Sequence, residues 1–300
     1  MVWTKADIPS LTGKRIIITG ANSGIGWHAA LELARAGGEV RIASRNKSKA
    51  DDAVGRIRAV MPNADVQADL LDLSDPKSIK GFVERQLALS RPIDILINNA
   101  GVMALPDRRE SVDGHELQFA TNVLGPYRLT GLLLPALLKS DSPRVVTVAS
   151  GTHAAGGPVP IDDLDSKKDY RPIRAYAKTK LANILFAREL QRRAGNRLLS
   201  VCCHPGMAAT NLAGDTSFAM KLAVWALYVF HQSAAMGAEP TLMAATLPDA
   251  KPGGYYGPGG FLKLRGHPVE TETSPFANDA GAGRMLFEDL ERISGIRFEF

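Results

Sequence analysis

Cysteine is nearly absent from this 300-residue chain: the only two, Cys202 and Cys203, are adjacent. Neighbouring residues on a strand point to opposite faces, so they are poorly placed to pair. Both read as reduced core residues of a cytoplasmic protein. Long apolar runs are missing as well. The most apolar helix-like stretch, 222–230, is far shorter than the ~20 residues that cross a bilayer. No membrane-spanning segment is expected; the stretch reads as a core helix, a substrate lid or an interfacial helix that would allow peripheral membrane association. Residues 1–11 carry Lys5 and Asp7 and no apolar run, which argues against a secretory signal. No block of one charge stands out. Net charge is +5, and the densest basic run, 41–49, is interspersed with polar residues. That is too little for nucleic acid but suits a small anionic ligand. There is no internal repeat, low-complexity tract or linker. His153 and His204 lack partners at metal-ligand spacing, so both read as structural and no metal is expected.

What is present is alternation. Strand-like segments at 15–19, 39–44, 65–71, 93–98, 144–150, 198–204 and 254–256 are separated by helix-like segments at 24–36, 47–60, 75–89, 111–139 and 176–193. This order predicts an α/β fold: a doubly wound parallel sheet of seven strands in three α-β-α layers, with ligands beyond the carboxyl ends of the strands. One domain is expected. Two irregular stretches, 151–175 and 206–232, follow strands and so lie at that end, the first as a substrate loop and the second as a lid. A C-terminal extension spans 252–300.

The first strand runs into Thr19-Gly20-Ala21-Asn22-Ser23-Gly24-Ile25-Gly26, and a helical pattern follows. A strand, a glycine-rich turn and a helix N-terminus together suit a pyrophosphate: the backbone N–H groups converge there with the positive end of the helix dipole. Gly20 allows the tight turn, Gly24 the close approach of a ligand, and Gly26 the packing of helix on strand.

Far downstream, Tyr176-Ala177-Lys178-Thr179-Lys180 places a phenol and an ammonium four residues apart, on one face of a helix. A lysine beside a tyrosine favours the phenolate. Moving the tyrosine from ~10 to about 7 takes roughly 4 kcal/mol and would make Tyr176 a general acid/base at neutral pH. Ser150 ends a valine-rich strand, so its hydroxyl sits at a carboxyl end, where a parallel sheet holds its ligands.

In order, the glycine turn, Asn98-Asn99-Ala100-Gly101, Asn122, Ser150, Tyr176-x-x-x-Lys180 and Pro205-Gly206 resemble the short-chain dehydrogenase/reductase superfamily, from about residue 13 to 293. Tyr176 to Asn183 and His204-Pro205-Gly206 are most similar to its retinol-dehydrogenase-like and WW-domain-oxidoreductase-like branch. No WW domain and no N-terminal membrane anchor are read before the fold. The resemblance implies Rossmann-type binding of a dinucleotide and interconversion of a carbonyl and an alcohol. Tyr176 would exchange the proton with the substrate oxygen. Lys180 would hold the ribose and lower the tyrosine pKa, Ser150 would bond the substrate oxygen, and Asn122 would serve a water-linked relay to Lys180. Cofactor contacts are implied for Gly20, Asn22, Ser23, Gly24, Ile25 and Gly26, for Asp72 and Leu73 at the adenine, for Asn98, Ala100 and Gly101, and for Pro205, Gly206 and Thr210 near the nicotinamide. Ala149 stands where the branch often has a second serine. The gap from Ser150 to Tyr176 is about twice that of many members.

Cofactor choice rests on the end of the second strand. Ala43-Ser44-Arg45-Asn46 offers a hydroxyl and a guanidinium where an NAD site usually places a carboxylate. NADP(H) is therefore expected over NAD(H), with Ser44, Arg45 and Asn46 at the 2′-phosphate. Ser23 supplies no charge where many NADP-preferring relatives carry a basic residue. Pocket candidates are Val102, Met103, Met207, Phe218, Leu222 and Trp225, mostly apolar, so a lipophilic small-molecule carbonyl or alcohol is expected. Two other readings compete. A nucleotide-sugar epimerase would show a different glycine spacing. A non-catalytic NADP(H)-binding sensor or scaffold would usually have lost the tyrosine or lysine. Surplus apolar residues on 111–139 and 176–193, such as Leu129, Leu132, Leu133, Ile184 and Leu185, predict a homodimer or homotetramer through a four-helix interface.

Overall fold

Ile16, Ile17 and Ile18 are fully buried, and they form the middle of the sheet. In the computed structural model, which describes residues 2–207 and 232–300, strand β1 (Arg15–Thr19) pairs in parallel with β2 (Glu39–Ser44) on one side and β4 (Ile95–Asn98) on the other. β3 (Val66–Leu70), β5 (Arg144–Val148), β6 (Leu199–Cys203), β7 (Tyr255–Pro258) and β8 (Pro268–Glu270) complete the order 3-2-1-4-5-6-7-8. All pairings are parallel except β7 with β8.

Because side chains alternate along a strand, the sheet divides two cores. Ile17, Leu96, Val145 and Cys202 face α3 (Pro76–Ala88), α5 (Gly125–Leu137), α6 (Pro172–Ala194) and α8 (Ala280–Ser294). Ile16, Ile18, Val146 and Cys203 face α1 (Gly24–Arg35), α2 (Lys47–Val60) and α7 (Ala234–Thr246). The two cysteines therefore lie on opposite faces, both buried and free. Caps fix the helix starts: Asn46 Oδ1 accepts from Lys49 N at 2.9 Å, and Asp75 Oδ1 from Lys77 N at 2.8 Å, with Pro76 in the first turn.

Three expectations need correction. The described sheet has eight strands, not seven. The eighth is three residues long and starts at Pro268, too short to show an alternating pattern, with its proline where an edge strand tolerates one. The helix expected over 111–139 begins only at α4 (Leu117–Phe119), passes through a π turn at Ala120–Leu124 and continues as α5. Pro126 lacks the N–H that an α-helix would direct at the Asn122 carbonyl, and Gly125 N instead donates to the Ala120 carbonyl. Helix α7 was not expected at all. Residues Gly237, Ala238 and Pro240 to Thr246 are all buried, so no polar face marks a helical period.

The apolar surplus on α5 and α6 has an intramolecular explanation. Leu129, Leu133, Ile184 and Leu185 are buried in one cluster with Leu286, Phe287 and Leu290 of α8, and Leu132, Ile296 and Phe298 pack against it. The premise of the four-helix interface between subunits is thereby removed. Most of the expected lid, 206–232, lies outside the described residues, and so do Thr210, Phe218, Leu222 and Trp225.

Candidate active site

The carboxyl ends of β1, β2, β4, β5 and β6 open into one cleft of about 1810 Å³. Its floor is the glycine turn. Gly24 has φ +57°, a left-handed conformation that suits glycine. At Gly26 a Cβ would lie 2.6 Å from Asn99 Nδ2 and 2.9 Å from Ala21 Cα, so only glycine lets α1 come this close to β4. Gly20, Asn22, Ser23 and Ile25 line the same cleft. Asn22 Oδ1 accepts from Ser44 Oγ at 3.2 Å, which ties the turn to the end of β2. Ser44, Arg45 and Asn46 form the next wall, with Asp72 and Leu73 beyond them.

Ser150, Tyr176 and Lys180 meet at the other end of the cleft. Burial pushes the Tyr176 phenol up to about 12, with the Ser150 hydroxyl pulling the other way, and pushes the Lys180 ammonium down to about 8. This corrects the expectation of a lysine-depressed tyrosine. The ammonium is bonded to the Val148 carbonyl at 3.0 Å and stands 5.6 Å from the Tyr176 ring centroid. At that separation desolvation outweighs its field.

Asn122 lies in the π turn with its side chain fully engaged. Its Oδ1 accepts from Val102 N at 2.8 Å; its Nδ2 donates to the Val102 carbonyl at 2.9 Å and to Thr179 Oγ1 at 3.1 Å. Gly101 is the meeting point: a Cβ there would lie 3.1 Å from Asn122 Oδ1 and 3.6 Å from Lys180 Nζ. Ala100, Gly101, Val102, Met103, Pro205, Gly206 and Met207 all line the cleft. Asn98 does not. Its amide is buried beneath, donating to Thr130 Oγ1 at 3.1 Å. Its neighbour Asn99 lines the cleft instead, donating from Nδ2 to the Thr19 carbonyl at 2.7 Å.

The chain belongs to the short-chain dehydrogenase family. The family pattern described as short chain dehydrogenase matches residues 14–220. Retinol dehydrogenase 12 of Homo sapiens is 39% identical over 292 residues, covering 96% of this chain and 89% of that protein. Retinol dehydrogenase 13 of Homo sapiens is 36% identical over 301 residues, covering 98% and 87%. Among solved structures, an uncharacterised protein from Mycobacterium paratuberculosis is 37% identical, superposes with a TM-score of 0.82 and covers 100% of both chains. This short-chain dehydrogenase is thus an oxidoreductase relative of the retinol dehydrogenases, and NAD(P)-dependent alcohol/carbonyl chemistry goes with the family.

Several cleft residues carried no sequence signal. His153 lies under Ser150. Its Nδ1 is 2.8 Å from the Ser150 carbonyl, and its Nε2 is 3.1 Å from Ser274 N. Those two partners assign one neutral tautomer, with Nδ1 the donor and Nε2 the acceptor, and burial lowers its pKa to match. Tyr255 reaches the Ser150 carbonyl at 3.5 Å and stacks on His204, which burial holds down at about 4. Arg56, from α2, is the other addition to the cofactor side.

Proposed function

We propose that this protein is an NADP(H)-dependent oxidoreductase that interconverts a carbonyl and an alcohol on a lipophilic substrate. The observation that carries the reading is the convergence of Ser150, Tyr176 and Lys180 in one cleft with the glycine turn and with Ser44 and Arg45. The glycine turn fits a dinucleotide: Gly20, Asn22, Ser23, Gly24, Ile25 and Gly26 all line the cleft at the N-terminus of α1, where backbone N–H groups and the helix dipole suit a pyrophosphate. A nicotinamide cofactor held there would supply the hydride.

The chain's own residues do the rest. Tyr176, a neutral phenol across the physiological range, delivers its proton to the substrate oxygen, which the Ser150 hydroxyl holds in place. Lys180 would hold the ribose hydroxyls and stabilise the phenolate left behind. Asn122 braces Val102 and Thr179, and its backbone carbonyl, denied an α-helical donor by Pro126, would accept from a water that relays a proton to Lys180. Ser44, Arg45 and Asn46 would hold the 2′-phosphate. Substrate class is read from the apolar wall around Ser150 and Tyr176, formed by Val102, Met103, Leu105, Ile173 and Leu264, together with the retinol dehydrogenases among the relatives. A retinoid or a long-chain aldehyde fits that wall.

A panel of retinoid, steroid and aliphatic aldehydes and alcohols, followed by NADPH absorbance, tests the reading. Turnover of apolar members with NADPH is expected. No turnover of any member in either direction, by protein that binds NADPH, would favour a sensor instead.

A further inference from the structure

Resting on the NADP(H) reading, we infer that Arg56 is a second ligand for the 2′-phosphate, acting from α2 beside Arg45, and that Trp27 positions it. Two contacts place its guanidinium, and a third fixes the ring it lies against. One N–H donates to the Asn22 carbonyl of the glycine turn at 2.8 Å. The guanidinium carbon lies 4.8 Å from the Trp27 ring centroid. Trp27 Nε1 in turn donates to the Ala53 carbonyl at 3.1 Å, which fixes the indole against α2.

Arg56 had a simpler option. Asp52 lies one turn earlier on α2, at a spacing that commonly gives an ion pair. On the same helix Lys47 takes that option with Asp51, at 2.5 Å. Among the described residues Arg56 makes no ion pair, although Asp52 lines the same cleft. It leans over the glycine turn instead, with most of its five N–H donors directed to no described acceptor. Asn22 is the hinge of the arrangement: its carbonyl accepts from Arg56 and its side-chain oxygen from Ser44 Oγ at 3.2 Å. Ser44, Arg45 and Arg56 therefore border one corner of the cleft.

A dianionic phosphate is what such a corner recognises, because guanidinium forks match phosphate oxygens. The neutral Ser23 is one residue from the Asn22 carbonyl, so Arg56 brings charge from another element to a turn that has none of its own. Lys49 and Asp52 line the same wall with opposite charges, so the net positive charge of this corner comes from Arg45 and Arg56.

The probes are adenosine 2′,5′-bisphosphate and AMP, titrated by calorimetry into the full-length protein. Both lack the nicotinamide, so binding is read apart from turnover. Wild type is expected to prefer the bisphosphate. Arg56→Ala should weaken it about tenfold or more, as the loss of a charge-assisted bond does, and leave AMP unchanged. Trp27→Leu should weaken the bisphosphate alone, and Trp27→Phe, which keeps an aromatic face, should restore most of the loss. Equal losses for both probes on Arg56→Ala would mean a structural role and overturn the inference. No change on Arg56→Ala, with a selective loss on Arg45→Ala, would overturn it while leaving the NADP(H) reading intact. A wild type without preference between the probes would remove that reading and the inference with it.

Discussion

Lys180 Nζ donates to the Val148 carbonyl at 3.0 Å, two residues before Ser150, so a helix side chain clamps the strand end that carries the serine. The clamp is costly to the fold. Burial lowers the Lys180 pKa from its usual 10.5 to about 8. Below pH about 8 the ammonium is charged in both states, and the folded state bears the full desolvation penalty. Between about 8 and 10.5 the folded state loses the proton while the unfolded chain keeps it, so this contribution to stability rises with pH. Lys180→Met should therefore stabilise the protein near pH 7 by roughly 1–3 kcal/mol, after a loss of about 1 kcal/mol for the Val148 bond. The gain should shrink toward pH 10, and activity should be lost. Urea unfolding of both proteins at the two pH values measures this. A less stable methionine variant at pH 7 would contradict it.

Tyr176 is 5% exposed, and burial keeps its phenol neutral at physiological pH. Tyr176→Phe keeps the ring and its packing and removes only the hydroxyl, with its proton and its bond to Ser150. Cofactor affinity and melting temperature should stay near wild type, while turnover of a substrate found in the panel should fall by about 10²–10⁴-fold. Wild-type turnover in the phenylalanine variant would exclude Tyr176 as the acid.

Much of this was legible in the chain because the signals are local. Gly20, Gly24 and Gly26 follow a β-branched strand and precede a helical pattern, and Tyr176 and Lys180 share a helix face whatever surrounds them. What escaped depends on tertiary placement. Whether Asn98 or Asn99 faces the cleft is set by the phase of β4, a matter of one residue. The Tyr176 pKa depends on how deeply α6 packs and where Lys180 finds its acceptor. His153 and Tyr255 reach Ser150 only because β7 adds beside β6. Helix α7 is hidden by its own burial, and the apolar faces of α5 and α6 were assigned to a partner because α8 lies some hundred residues further along the chain.

Arg45 is exposed on the cleft wall, directly after the buried Ser44, and no carboxylate competes at the end of β2. Arg45→Ala should weaken NADPH by roughly ten- to a hundredfold, the equivalent of about 1.5–3 kcal/mol for a lost charge-assisted contact, and change NADH little. Titration of both cofactors checks it. Tighter NADH binding by wild type would refute the assignment.

Tyr127 donates its hydroxyl to the Ile296 carbonyl at 3.0 Å across a separation of 169 residues, and its ring lies 4.9 Å from that of Phe298 and 5.1 Å from that of Phe287. Gly131 on α5 makes room for this: a Cβ there would come within 2.7 Å of both Ile296 and Phe298. The C-terminal segment thus occupies the surface of α5 and α6 that a partner subunit would need. A protein whose apolar face is already covered gains little by pairing through it. Light scattering at micromolar concentration should therefore give the mass of a monomer, or of an oligomer whose cross-links avoid α5 and α6. Phe298→Ala should cost roughly 1–3 kcal/mol, less than a fully buried phenylalanine because the ring is only partly buried. Deleting residues 296–300 should expose the face and promote self-association. A wild-type dimer cross-linked through α5 and α6, or a truncated chain as stable and as monomeric as the full one, would show that the segment does not play this covering part.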